Sequence, residues 1–176
     1  MPLKDLLAPE LDVLFCGINP GLTSAAVGMP FATRGNRWWT ALEKSGFTPR
    51  VLAPAEADAL LTWGLGLTTM VRRPTTRAAE LSRAELVAGA ASLTDRVLTW
   101  QPRWLAVLAV AAFRTGYGWP GSTVGEQDLR IGATRVWVLP SPSGLNAHFP
   151  PRRLSKEFAR LRRAAALPDR SRRPAR

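Results

Sequence analysis

The chain has 176 residues, 46% of them apolar, and 24 lysines and arginines against 13 acidic residues give it a net charge of +11. That is long enough for one domain with a proper core and too apolar for a disordered chain, while a single cysteine (Cys16) and a single histidine (His148) exclude an internal disulfide and multi-cysteine or paired-histidine metal chemistry. No run of about 18 apolar residues occurs, and the opening "MPLKDLLAPELD" lacks a signal-peptide apolar stretch, so a soluble, cytoplasmic protein without a membrane partner is expected.

In chain order, the first apolar run, 13–18, reads as a buried strand that breaks at Gly17-Ile18-Asn19-Pro20-Gly21. A helical pattern over 37–45 precedes a turn at Gly46, and another over 54–63 follows a proline start. The second strand is read at 64–69. Ser82 with Glu85 three residues on forms a capping box that opens a helix over 82–100. The third strand, 104–110, is apolar throughout, as a central strand buried on both faces would be. "LRIGATRVWVL" reads as a short hairpin leading into the last strand, 134–139, and a helix over 153–165 closes the fold. Alternating strands and helices argue for an α/β protein with a mainly parallel sheet covered on both faces.

The positive charge is uneven. Residues 152–176 carry ten basic residues against Glu157 and Asp169, or +8, which leaves +3 for everything before them. A catalytic domain over 1–166 and a basic, disordered tail over 167–176 are the expected divisions. Such a tail suits phosphates, where counterion release rewards lysine and arginine, but it also reads as a solvated helix with a frayed end. Alone it does not separate DNA from RNA or an anionic membrane.

Ligands of open parallel sheets bind outside the carboxyl ends of the strands. Two loops fall at that edge, residues 17–21 and "LPSPSGLNAHFP" over 139–150. Pro20 biases Asn19 towards an extended conformation, and the flanking glycines allow close backbone approach by a ligand. The asparagine offers one acceptor and one amide donor group, enough to orient a water or read a base edge. Read locally, the same residues also make an Asx-type turn. The loop is neither a Walker A nor a dinucleotide-binding GxGxxG.

GINPG after the first strand, PFA ten residues on, NRWW next, "LTTMVRRPT" after the second strand and a late PSPSGL loop resemble the mismatch-specific uracil/thymine DNA glycosylases, within the wider uracil-DNA glycosylase superfamily. The resemblance spans roughly residues 5–165. It implies a three-layer α/β/α sandwich around a short, mainly parallel sheet of four to five strands. It also implies a monomeric, monofunctional DNA repair enzyme without metal or organic cofactor. Its partner would be double-stranded DNA holding a mismatched or damaged pyrimidine.

Carried over by position, Asn19 matches the asparagine that places the hydrolytic water beneath the sugar C1′. Phe31 matches the aromatic that stacks on the flipped base, and backbone groups at Gly17, Ile18 and Phe31 would read its edge. Ser24 lines the pocket beside the pyrimidine C5, and Asn36 and Arg37 stand at its mouth. Ser143, Gly144 and Leu145 match the loop that enters the duplex, with Leu145 as the wedge. Arg37 is a further DNA-contact candidate, and His148 is read as an exposed loop histidine or, alternatively, a phosphate contact to DNA. Because a neutral amide is a poor base, slow chemistry on easily leaving pyrimidines is expected, uracil opposite guanine first, with thymine in G/T mispairs and ethenocytosine behind it. Asp95, beside the apolar stripe of the 82–100 helix, is a second candidate base if it is partly buried; otherwise it is a solvated helix-edge carboxylate.

Two positions depart from the pattern: Ala147 stands where some relatives place an arginine on the guanine side, and Ser141 replaces an asparagine of some members. Arg72 and Arg73 are read as phosphate contacts or solvated side chains. One of Trp38 and Trp39 is expected to pack inward and the other to cover the site. Trp63, Trp100 and Trp104 are read as packing, and Cys16 as a small apolar filler. The competing classes are a DNA-binding module that kept the fold and lost the chemistry, and an α/β protein acting on free nucleotides.

Overall fold

Short β-branched and aromatic runs bounded by glycine and proline become the sheet. In the computed structural model, which describes residues 3–172, β1 (Val13–Gly17), β2 (Leu65–Thr69), β3 (Trp104–Val107) and β5 (Thr134–Val138) run parallel, and β4 (Gly125–Ile131) adds antiparallel to β5. The spatial order is β2-β1-β3-β5-β4, which makes β1 the second strand of a five-stranded sheet. β2 and β4 are the two edges, and β4 alternates buried and exposed positions with Glu126, Asp128 and Arg130, a charged edge that discourages pairing with another chain.

The period of two along each strand sorts the core into two halves. Val13, Phe15, Leu67, Ala106 and Trp137 point to one face, against α2 (Trp38–Lys44) and α5 (Pro151–Ala164). Leu14, Cys16, Leu105, Val107 and Val136 point to the other, against α3 (Arg83–Trp100) and α4 (Val110–Tyr117). The result is the expected three-layer sandwich. Phe15 is the hub of the first half: its ring meets Trp38 edge-on at 4.8 Å and Phe47 at 5.3 Å, and stacks with Phe158 at 6.2 Å. Each such aromatic, if truncated to alanine, would cost about 3–5 kcal/mol.

Several boundaries differ from the sequence reading. The third strand stops at Val107, and Val110 opens α4 rather than ending β3, with Gly118 closing that helix at φ 68. A helix whose buried face holds Ala112 and Phe113 continues the apolar run of the strand, so composition alone carries no boundary. The segment over 54–63 is helical with 3₁₀ geometry, and α1 (Leu22–Val27), too short and small-residue-rich for a periodic signal, was not expected. The Ser82 capping box forms as read: Glu85 N donates to Ser82 Oγ (3.1 Å) and Ser82 N to a Glu85 carboxylate oxygen (2.8 Å). Among the described residues no helix is long and apolar enough to cross a membrane.

The disordered tail expected over 167–176 is corrected for its first part. Leu167 packs on the core, Arg170 N donates to Gly46 O (2.8 Å), and buried Arg162 donates to Ser45 O (2.7 Å) while lying 3.9 Å from Asp169. Residues 167–172 thus staple α5 to the end of α2; residues 173–176 lie outside the described chain. The staple requires a glycine. Gly46 sits at φ +85, and a Cβ there would fall inside contact distance of the Asp169 carboxylate. Gly46→Ala should therefore lower stability by about 1–2 kcal/mol from the left-handed backbone alone, a Tm decrease of about 2–8 °C for a chain of this size, read by thermal unfolding.

Candidate active site

The ladder between β1 and β2 does not stop where the strands do. Met70 N donates to Gly17 O (2.9 Å), Val71 N to Ile18 O (2.8 Å) and Thr75 N to Pro20 O (3.1 Å), so the two carboxyl-end loops are laced together. The laced loops form one wall of a cavity of about 580 Å³ at the carboxyl edge of the sheet. Gly17, Ile18, Asn19, Ser24, Phe31, Asn36, Arg37, Ser143, Gly144 and Leu145 all line it. The topology therefore brings the two motif loops to one opening, although 119 positions separate Gly17 from Val136 in the last strand.

Asn19 is held by partners far away in the chain. Its amide nitrogen donates to Arg73 O and to Thr75 Oγ1, both at 2.8 Å, and Thr75 Oγ1 in turn donates to Arg77 O (2.8 Å). A backbone carbonyl can only accept, so the nitrogen must face Arg73 and the side-chain oxygen is left as the acceptor. With both amide hydrogens committed, that oxygen can take one only from a third party such as a water. This is more than a local Asx turn supplies. Thr75, 4% exposed, is the residue that the sequence reading missed. No local signal marks it, because its role exists only through a residue 56 positions away.

Phe31 forms the opposite wall. Its backbone has φ 51, uncommon for a bulky residue, and its ring stacks on buried Trp38 at 4.7 Å and 29°. Buried Ser24 accepts from Ala32 N (3.0 Å) and so holds that strained turn, a role its sequence position did not suggest. Asn36 Oδ1 accepts from Trp38 N (2.9 Å) at the start of α2. Gly17 lies directly under the Phe31 ring: a Cβ there would be 3.6 Å from Phe31 Cζ, so any larger side chain would reach into the space between ring and loop. Trp39 does not cover the site as one reading had it; both tryptophans are buried, and Trp39 is outside the cavity lining.

The late loop is tied together by its own hydrogen bonds. Asn146 N donates to Ser143 O (3.0 Å), Asn146 Nδ2 to Ser141 O (3.0 Å) and Leu145 N to Ser143 Oγ (3.2 Å). At its tip Leu145 is 80% exposed. His148 is exposed, and its carbonyl accepts from Arg153 (3.2 Å). Arg37, read as a DNA contact, instead spends its guanidinium inside the protein, on carbonyl oxygens of this loop.

Three other charged residues are also re-placed. Asp95 is exposed on α3 and does not line the cavity, so it is the solvated helix-edge carboxylate and not a base for this site. Arg73 pairs with Glu85 (2.6 Å) and Arg72 with Asp5 (2.5 Å), neither simply solvated nor held out towards a phosphate. Asp5 is the carboxylate of the lining, at the side closed by residues 3–5. Burial works against its charge, but hydrogen bonds from Arg72 and Thr68 outweigh that and hold its carboxyl below the ordinary 3.8. Cys16 is inert as expected, its thiol pushed up to about 12 by burial. Among the described residues no cluster of three or more metal-ligating side chains occurs.

A depressed folded-state pKa contributes stability above the unfolded value and loses it as pH falls through the folded one. Wild type should therefore exceed Asp5→Asn in urea midpoint at neutral pH. The two midpoints should draw together as pH falls below 3.8 and meet lower still. A gap independent of pH would assign the loss to packing instead.

The model of one protein family, the uracil DNA glycosylase superfamily, matches residues 4–164, from the segment closing the cavity to the last turn of α5.

Proposed function

The chain therefore belongs to the uracil DNA glycosylase superfamily, DNA glycosylases that hydrolyse N-glycosidic bonds, and we propose that it is a monofunctional member of the mismatch-specific branch. It would act as a monomer, removing uracil opposite guanine first, with thymine in G/T mispairs and ethenocytosine as slower substrates. The observation that carries this reading is Asn19, with its amide hydrogens fixed by Arg73 and Thr75 and its carbonyl left to accept at the cavity wall.

The chemistry follows from what each group can do. A base rotated out of the duplex enters between the Phe31 ring and the 17–21 loop. Breaking the C1′–N1 bond places positive charge on the sugar and negative charge on the pyrimidine. Asn19 Oδ1 accepts a hydrogen bond from a water and holds it towards C1′; as a neutral amide it orients that water without taking its proton. The leaving anion needs donors. Gly17 O and Ile18 O already accept from Met70 and Val71, whereas the N–H groups of Ile18 and Phe31 have no partner among the described residues and are the donors available to it. Catalysis then rests on positioning and anion stabilisation, which suits uracil and disfavours poorer leaving groups. Flipping costs least at a mismatch, which favours G·U over A·U pairs, and Ala147 in place of an arginine would make opposite-guanine selectivity modest.

Release of free uracil from a G·U duplex tests the reading directly. Asn19→Ala should lower the single-turnover rate by about 100-fold or more with duplex binding nearly intact, because the loss falls on the transition state. Thr75→Val, which removes one of the two groups holding the amide, should cost about 5- to 10-fold, the equivalent of one hydrogen bond. Duplex binding without any uracil release by the wild-type protein would instead identify a binding module that lost the chemistry.

A further inference from the structure

Arg37 immediately precedes α2, in the segment that links the stacking wall to the core, and it is bonded along the whole late loop. Its backbone N–H donates to Pro142 O (2.9 Å). Its guanidinium donates to Asn146 O (3.1 Å) and Phe149 O (2.7 Å) through one nitrogen and to Gly144 O (3.1 Å) through the other. Gly144 also lies against the same segment: a Cβ there would be 2.7 Å from Gly35 O. The loop that carries Leu145 is therefore seated backbone to backbone on residues 35–37, with one charged fork gathering three of its carbonyls. Hydrogen bonds from a guanidinium are roughly twice as strong as neutral ones.

The next residue along the chain is Trp38, which lies under Phe31 at 4.7 Å and against Phe15 at 4.8 Å. Arg37 thus joins three things into one body: the exposed leucine, the aromatic wall and the sheet core. A side chain that stands 80% exposed on a loop can fill a vacated base position only if the loop does not yield when pressed into the stack. The loop's own bonds fix its shape, but they do not fix its position relative to the cavity. Arg37 does.

We propose that Arg37 is a positioning residue that sets the depth at which Leu145 enters the duplex when a base occupies the cavity, rather than a contact to DNA. This rests on the wedge reading of Leu145. It makes a prediction that a phosphate-binding arginine would not meet, namely that Arg37 and Leu145 act as one unit.

The test is a double-mutant cycle on base flipping, in an Asn19→Ala background so that the base is not consumed. The readout is the fluorescence of 2-aminopurine placed beside uracil in a G·U duplex. Leu145→Ala and Arg37→Gln should each lower the flipped population about tenfold, and the double variant should lose no more than the larger single change. Multiplying losses would mean that Arg37 acts independently of the wedge, and a full flipped population in Arg37→Gln beside a loss in Leu145→Ala would remove it from flipping; either overturns the proposal. A full population in Leu145→Ala itself would overturn the wedge reading and not merely the clamp. Should Arg37→Gln fail to fold, Gly144→Ala lifts the loop off Gly35 with the arginine intact. It should give the same loss and the same non-additivity with Leu145→Ala; normal flipping by Gly144→Ala would count against seating as the cause.

Discussion

The site depends on the parallel pairing of β1 with β2, continued past the strand ends. In register, Phe15 faces Leu67 and Gly17 faces Thr69, and past the strand ends the two segments stay bonded through Gly17–Met70 and Ile18–Val71 and then, with the second segment looping out, through Pro20–Thr75. A slip of the pairing would move Thr75 and the Arg73 carbonyl away from Asn19 and turn each β2 side chain into the opposite, already filled half of the core. The apolar burial that locks the register therefore also orients the asparagine. That coupling explains how an amide at the cavity wall can be fixed by a loop that carries no conspicuous chemistry of its own.

The second constraint runs through aromatic packing. Trp38 is wedged between Phe15 in the sheet, Phe158 in α5 and Phe31 at the cavity. A bulky residue at positive φ is costly, on the order of 1–3 kcal/mol, and persists only where its surroundings over-determine it. Stacking on Trp38 and the Ser24 bond to Ala32 do so here. The wall that would meet a base is thus braced by the core, and through Arg37 the same brace reaches Leu145.

Charge is arranged more sparingly than +11 suggests. Arg50, Arg72, Arg73, Arg103, Arg135 and Arg160 each pair with a carboxylate, in mostly exposed contacts that contribute little to stability but neutralise the outer faces. Arg34 lines the cavity mouth without a carboxylate partner among the described residues. The densest basic segment is partly structural: Arg162 and Arg170 donate inwards to Ser45 and to Gly46 and Phe47 at the end of α2, so not all of its charge is offered to a polyanion.

The amino-acid sequence by itself determined the alternation of strands and helices, the Ser82 capping box, the burial of Cys16 and the convergence of the 17–21 and 139–150 loops on one sheet edge. These follow from apolar periodicity, local hydrogen bonding and the connectivity of parallel strands, which are properties of neighbouring residues. It also carried the motifs around Asn19, Phe31 and Leu145, though not what holds them. Only the tertiary structure decided that Thr75 fixes the amide, that Arg37 serves the loop rather than facing outwards, and that Asp95 looks away from the cavity. It likewise decided that residues 167–172 fold back onto Gly46. Each of these rests on a hydrogen bond or a facing direction set by groups 50 or more positions apart in the chain, or on one helix's rotation against the sheet. No local pattern encodes such a distance; it is fixed only when the burial of both sheet faces brings the segments together.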